Sequence, residues 1–406
     1  MGSIECELFA KPVAALLSYW VPTTELSSAE IVARECAAIE ALRDKALKGW
    51  RVMQTADQTP GSIVTVGIAG LGRAGWSIHA EHLALLADRF RVVAVSDPDP
   101  ARRDEARARF GCRAYADYAD MVRGGAIEVM VVASPSHLHA EHTTMALQAG
   151  IHVMAEKPMA TGIAEADRMI AVARQAGRFL TVNHNYRNMP AFVKLREIVE
   201  SGLLGRIIEI RMAWHGFYRR WDWQTLKEFG GGMLANYGSH AVDRALLFLG
   251  EAEPEVFCHM EHTPLYAGDA ESHVKIILRA RGKPLIDIEL TNACAYPQED
   301  WLVMGTQGGL SGSQRQLRWK SFDPQALPPR PLTREPTPDR SYNHEELPWQ
   351  EEVYTPSGED AWGYRKIWLD FYATLRHGAP LAITPESVRR EVAILDACRL
   401  SSSAWG

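Results

Sequence analysis

The sequence predicts an α/β chain: an N-terminal doubly wound parallel sheet, then a C-terminal α+β domain with an open, mostly antiparallel sheet. Three observations predict it. Between residues 63 and 183 short apolar runs alternate with helix-length segments, the pattern of a parallel sheet covered on both faces. The first run is followed at once by Gly70-Leu71-Gly72-Arg73-Ala74-Gly75. From residue 206 onward apolar residues recur at every second position, as in strands that bury only one face.

Taken in order, residues 1–61 form an N-terminal extension. It starts with acidic residues and lacks a basic n-region and a cleavage pattern, so it does not read as a signal peptide. Ser27-x-x-Glu30 makes a capping box. Val32, Cys36, Ile39, Leu42, Ala46 and Trp50 follow at helical spacing, which predicts one packing helix against the nucleotide domain or a neighbouring subunit.

Residues 62–184 read as the dinucleotide-binding domain. The run 63–69 is apolar and β-branched, of strand length. Gly70 permits the sharp turn after it, Gly72 lets backbone approach a pyrophosphate, and Gly75 lets the next helix, over 74–88, pack close to the sheet. Arg73 and Ala74 lie at the helix N-terminus that faces the phosphates. A second strand, 91–96, ends at Asp97, about 20 residues on, where an acid binds the adenosine ribose of a Rossmann fold. That acid predicts NAD over NADP, because it repels a 2′-phosphate; Arg102 and Arg103, which could hold one, read as facing solvent. Further strands over 129–133, 151–155 and 179–183 alternate with helices over 140–149 and 163–176. Ligands of such a sheet sit beyond the carboxyl ends of its strands, where Ser134-Pro135-Ser136-His137 and Glu156-Lys157-Pro158 fall. His137, His139 and His142 lie close together but lack an accompanying acid or thiol set, so no metal is expected.

Residues 185–406 read as a substrate and oligomerisation domain. A helix over 190–201 leads into strands over 206–213, 272–279 and 284–292. The polar, proline-rich stretch 321–356 reads as an arm or lid. A last helix covers 385–402, with Val388, Val392, Leu395 and Leu400 apolar.

Composition excludes other classes. The chain has 406 residues, is 47% hydrophobic and carries a net charge of −6. That gives no nucleic-acid footprint. No apolar run approaches the roughly 20 residues of a membrane span. Six cysteines without paired spacing fit reduced thiols in the cytoplasm.

With Gly70–Gly75, Glu156-Lys157-Pro158 and the run Gly230-Gly231-Gly232-Met233-Leu234-Ala235-Asn236-Tyr237-Gly238-Ser239-His240, the chain resembles the glucose–fructose oxidoreductase / inositol dehydrogenase (Gfo/Idh/MocA) family over about residues 62–402. The resemblance implies an NAD(H)-dependent oxidoreductase acting on a secondary hydroxyl or ketone of a sugar, glycoside or polyol, in a homo-oligomer of two, four or more subunits. It implies that Lys157 and His240 are catalytic. Alcohol oxidation needs a base within hydrogen-bond reach of the hydroxyl. His240 is suited by its imidazole. Lys157 can hold the hydroxyl and stabilise an alkoxide, or act as the base itself; the sequence leaves both open. Many relatives have aspartate where this chain has Asn236, and an amide cannot take a proton at ordinary pH. Asn236 is therefore expected to orient substrate or His240.

Tyr186 and Arg187 follow the last strand of the nucleotide domain, where the family places cofactor or substrate contacts. Trp221 belongs to an aromatic, basic segment, 214–223, whose indoles suit sugar faces. Two other readings stay open: a redox-neutral enzyme that keeps its NAD, oxidises a glycoside transiently and eliminates the aglycone, and a non-catalytic nucleotide-binding regulator.

Overall fold

The computed structural model describes residues 62–337 and 340–403, so the helix expected over 27–50 lies outside the described residues. The first sheet has six parallel strands: β1 Val64–Ala69, β2 Phe90–Ser96, β3 Arg113–Tyr115, β4 Val129–Val132, β5 His152–Ala155 and β6 Leu180–Val182. Their order is β3-β2-β1-β4-β5-β6. The order reverses between β1 and β4, and ligands of such sheets bind beyond the strand ends at that switch point. Central strands read as unbroken apolar runs because both faces are covered: every residue of β4 is buried.

The helix after β1 is not uniform. Ala74–Ala80 is wound as a wide π-helical turn and only Glu81–Ala84 is α-helical, so the element ends earlier than the 88 expected. Wide turns of this kind occur often at functional sites.

The second sheet has eight strands. To β7 Ile207–His215, β8 Glu255–Glu261, β9 His273–Arg279 and β10 Leu285–Thr291 it adds β11 Trp301–Gly305, β12 Gly308–Gly312, β13 Leu317–Ser321 and β14 Gln350–Tyr354. The order is β14-β13-β12-β11-β7-β10-β9-β8. Only β7 and β10 pair in parallel; all other neighbours run antiparallel. The alternation expected in β9 is present: Val274, Ile276 and Leu278 are fully buried. The stretch 321–356 is not all arm. Its end forms β14, which pairs with β13 and satisfies the backbone of an otherwise open edge.

The chain finally returns to the first sheet. Helix Tyr364–His377 places Trp368, Phe371 and Leu375 in the first core. Helix Pro385–Ser403 belongs to both cores: Val388 and Val392 pack in the first, and Ile394, Leu395 and Cys398 in the second. No helix among the described residues is long and apolar enough to cross a membrane.

Candidate active site

The glycine loop is built by close approach. Gly70 has φ +87°, and a Cβ there would lie 2.6 Å from the Ala133 carbonyl oxygen. A Cβ on Gly75 would come within 1.8 Å of the Gly70 oxygen. Around Gly72, by contrast, nothing lies within 4 Å of a Cβ position. The loop is therefore pinned at both ends and open in the middle, which fits a pyrophosphate laid along its backbone.

Asp97 is buried at the end of β2. Its Oδ2 accepts from the Leu71 N–H (2.7 Å) and its Oδ1 from the Asp99 N–H (2.9 Å), so it also ties the loop down. Arg102 is exposed, as expected, whereas Arg103 is half-buried. Arg102 Nη1 is 3.5 Å from Asp97 Oδ2, and Arg103 Nη1 donates to the Asp97 carbonyl at 2.7 Å. Both lie in the first turn of the helix Pro100–Phe110, which Asp99 caps.

Glu156 closes the floor of the site. It accepts from Asn183 Nδ2 (2.7 Å), lies 2.9 Å from His79 Nε2 and takes the Lys157 N–H at 3.2 Å. Burial alone would raise this carboxyl, but the His79 and Asn183 hydrogen bonds outweigh it and hold the group at about 2. The three nearby histidines part ways. His139 bridges the carbonyls of Pro158 and Ser134, His137 meets the ring of Phe229 edge-on, and His142 stacks on Tyr118.

Lys157 spans the two sheets. Its Nζ donates to the Asn236 backbone oxygen (2.8 Å) and to Asn236 Oδ1 (2.9 Å). Removal from water is the largest influence on its ammonium, followed on the same side by Arg73 and Arg220; together they pull it down to about 8 despite Glu156 and Glu391. Asn236 and His240 come from a second glycine-rich entry. Gly231 lies so close to the Gln224 carbonyl that a Cβ would sit 2.4 Å away, and Gly232, at φ +108°, abuts the Glu271 carboxylate. A π-helical turn follows, Leu234–Gly238, and then helix Ser239–Leu249.

His240 stacks on Tyr186, with centroids 3.8 Å apart and planes 7° from parallel. Burial, then the Lys157 charge, pushes its imidazole well below the usual value, so the ring is neutral at ordinary pH. Its Nδ1 has no hydrogen-bond partner. Arg244 holds the pair from behind: its guanidinium lies over the Tyr186 ring and its Nε donates to the His240 carbonyl at 3.2 Å.

A small pocket opens beside Lys157, lined by Ser136, Pro158, Gln224, Gly230, Gly231, Ala235 and Asn236. Lys157, Asn236 and His240 are thus brought together with Tyr186. Arg187 is engaged elsewhere, in a two-pronged pair with Asp243 at 2.8 and 2.5 Å. Trp221 is 79% exposed on the outer surface of its segment.

Sequence reasoning passed over three groups. Gln224 reaches Asn236. His184 and Glu391, fully buried, approach to 4.0 Å behind the site. Glu391 carried a readable signal: it shares a face with Val388, Val392 and Leu395 on the apolar stripe of the last helix, where a lone acid is out of place.

A nucleotide crevice facing a lysine–amide–imidazole cluster across two sheets defines a two-domain dinucleotide-dependent oxidoreductase. Residues 64–184 match the model described as oxidoreductase family, NAD-binding Rossmann fold, and residues 192–311 match the GFO/IDH/MocA C-terminal domain. The chain belongs to the Gfo/Idh/MocA oxidoreductase family. Among curated relatives, the myo-inositol 2-dehydrogenase of Thermotoga maritima is 29% identical over 60% of this chain and 73% of its own length. The D-glucoside 3-dehydrogenase of Escherichia coli is 34% identical over 47% of this chain and 55% of that enzyme. The chain spans about half the length of several of the curated relatives it matches. In fold it is similar to the WlbA dehydrogenase of Bordetella pertussis, solved with NADH and UDP-GlcNAcA, at TM-score 0.68 and 23% identity over 85% of this chain and 97% of that one.

Proposed function

We propose that this chain is an NAD(H)-dependent oxidoreductase that interconverts a secondary hydroxyl and a ketone on a sugar, glycoside or polyol, with Lys157 as the proton-transfer group. The observation that carries this reading is the bonding of Lys157. Two of the three positions on Nζ are taken by the oxygens of Asn236. In the ammonium the third carries a proton; in the amine it carries the lone pair, beside the pocket. The amine accepts the hydroxyl proton, and the ammonium then steadies the oxygen that becomes the ketone. His240 is held neutral and flat against Tyr186, so it positions the substrate oxygen rather than taking its proton. Asn236, an amide, orients Lys157 without charge.

Bound NAD supplies the acceptor for the hydride. Gly70, Gly72, Arg73, Ala74 and Gly75 would hold its pyrophosphate and Asp97 its adenosine ribose. Ser134, Pro135, His137, Glu156 and Lys157 line the path toward the reacting end. Asp97 favours NAD; titration with both cofactors that gave tighter NADP binding would place Arg102 on the 2′-phosphate instead. The carbohydrate class is supported by the inositol and glucoside activities named for the relatives and by a pocket with two amides and one hydroxyl. Tyr186 and Trp221 extend that site as a ring contact and an outer platform, while Arg187, paired with Asp243, anchors the helix that carries His240 rather than touching substrate.

The test is a screen of polyols, sugars and glycosides, followed by NADH absorbance and product mass. Oxidation should rise with pH through about 8, as Lys157 loses its proton, and ketone reduction should fall over the same range. Lys157→Met should lose on the order of 100- to 1,000-fold in turnover while still binding NAD. Unchanged turnover would remove Lys157 from the reaction. Product loss of an aglycone with no NADH would point to the redox-neutral cycle.

The uncovered face of the second sheet, with Leu302 and Val353 exposed, supports a homo-oligomer. A monomer mass by light scattering at all concentrations would refute that. The free cysteines Cys112, Cys258, Cys294 and Cys398 support a reducing, cytoplasmic setting; secretion with a paired set would count against it.

A further inference from the structure

The segment between β7 and the second glycine turn contains a short chain of polar contacts that ends on Lys157. Asp222 grips Arg220 through Nε at 2.7 Å and Nη2 at 3.1 Å. Arg220 Nη2 in turn donates to Gln224 Oε1. Asn236 Nδ2 approaches the same oxygen at 3.4 Å. Two donors converging on one atom identify it as the carbonyl end of the Gln224 amide. With its nitrogen turned toward Gln224, the Asn236 side chain has its oxygen turned toward Lys157, at 2.9 Å. If that amide were reversed, an N–H would face the lysine, which has nothing to offer it while charged.

We propose that Gln224, held by Arg220, is a positioning residue of the reaction centre: it locks the Asn236 amide with its oxygen on Lys157, and does so without adding a negative charge. This rests on the reading of Lys157 as the proton-transfer group. The absence of charge is the point. Lys157 already faces Glu156 from its own strand end and Glu391 from the last helix, which favour the ammonium, and Arg73 and Arg220, which oppose it. His184 and His240 also lie within its field. A carboxylate in place of either amide would add a third acid to this balance and would engage the Arg220 charge.

The experiment reads Lys157 directly and needs no substrate. The full-length protein is labelled with trace acetic anhydride across pH 6–10 and the Lys157 peptide is quantified by mass spectrometry, the surface lysines serving as reference. Gln224→Glu should move the midpoint of Lys157 labelling upward by about one pH unit, which at neutral pH leaves about tenfold less free amine. Gln224→Met, close in shape but unable to hydrogen-bond, should move it downward by about half a unit, because Asn236 is released and the ammonium loses an acceptor. Opposite displacements are the signature; a purely structural side chain would move both variants together. Midpoints that stay at the wild-type value, or shift the same way in both, overturn the proposal. If Gln224→Met fails to give a cooperative melt, Gln224→Leu takes its place and opposite displacements are still required; if Gln224→Glu fails, a downward shift in Gln224→Met carries the proposal and an unchanged or upward one overturns it. Failure of the underlying reading shows separately, as wild-type turnover in Lys157→Met.

Discussion

Two glycine-rich turns feed the site, one from each sheet, and each runs straight into a π-helical turn that delivers a histidine. After Gly70–Gly75 the turn Ala74–Ala80 carries His79; after Gly230–Gly232 the turn Leu234–Gly238 leads directly to His240. The backbone device is the same, and its use differs. His79 is tied down through one nitrogen: its Nε2 meets Glu156, which is further bonded to Asn183, while its Nδ1 has no partner. His240 is left open: it lies against Tyr186 with Nδ1 unpartnered. Buried polar groups are nearly always satisfied. Both rings leave Nδ1 without a partner; what differs is the anchor, a carboxylate on Nε2 for His79 and a ring stack on Tyr186 for His240.

Substitutions at the two turns break this comparison most sharply. Gly75→Ala drives a Cβ to 1.8 Å from backbone and should abolish NAD binding, read by quenching of tryptophan fluorescence. Gly231→Ala meets the Gln224 carbonyl at 2.4 Å; it should spare NAD binding and cut turnover through displaced Gln224. Equal loss of NAD binding in both would mean that the turns are one structural unit.

The histidines separate next. His79→Ala leaves a buried carboxylate short of a partner and should cost on the order of 2–3 kcal/mol of stability by denaturant unfolding. His240→Ala should lower turnover about 100-fold and lose only about 1 kcal/mol, the ring stack. Because the His240 ring is neutral throughout, its loss should not move the pH limb near 8. A displaced limb would return the base to His240.

The smallest effect concerns acid. Glu156 is held at about 2, below its ordinary 4.5, so the stability it contributes is complete above about pH 4.5 and drains away as pH falls toward 2. Wild type should therefore lose its advantage over Glu156→Gln across that window. A constant difference between the two melts from pH 6 to 3 would show that the carboxylate is not the stabilising form.

The comparison also marks what sequence can carry. The first turn was legible because glycines at fixed spacing after an apolar run are demanded by backbone geometry alone. The second sheet was legible through its period of two, and Lys157, Asn236 and His240 through their motifs. Gln224 was not, because its role depends on a contact with Asn236 that has no period and no spacing rule. Arg102 is exposed as expected, whereas Arg103 bonds back to the Asp97 carbonyl from the first turn of its helix, a contact with no spacing rule. The edge strand β14 was hidden in a polar, proline-rich stretch, since a solvent-facing edge tolerates polar residues that a central strand would reject. The return of 364–403 onto the first sheet leaves no local trace either.

That returning helix has a mechanical consequence. With Val388 and Val392 packed in one core and Ile394, Leu395 and Cys398 in the other, Pro385–Ser403 acts as a girder bolted at both ends. A hinge between the sheets would have to shear it out of one socket, exposing several apolar side chains at roughly 1.5–3 kcal/mol each. The frame that sets the two glycine turns against each other is stiff, and the Gly216–Gly231 segment is stitched to it by backbone hydrogen bonds from Gly216, Tyr218 and Arg220.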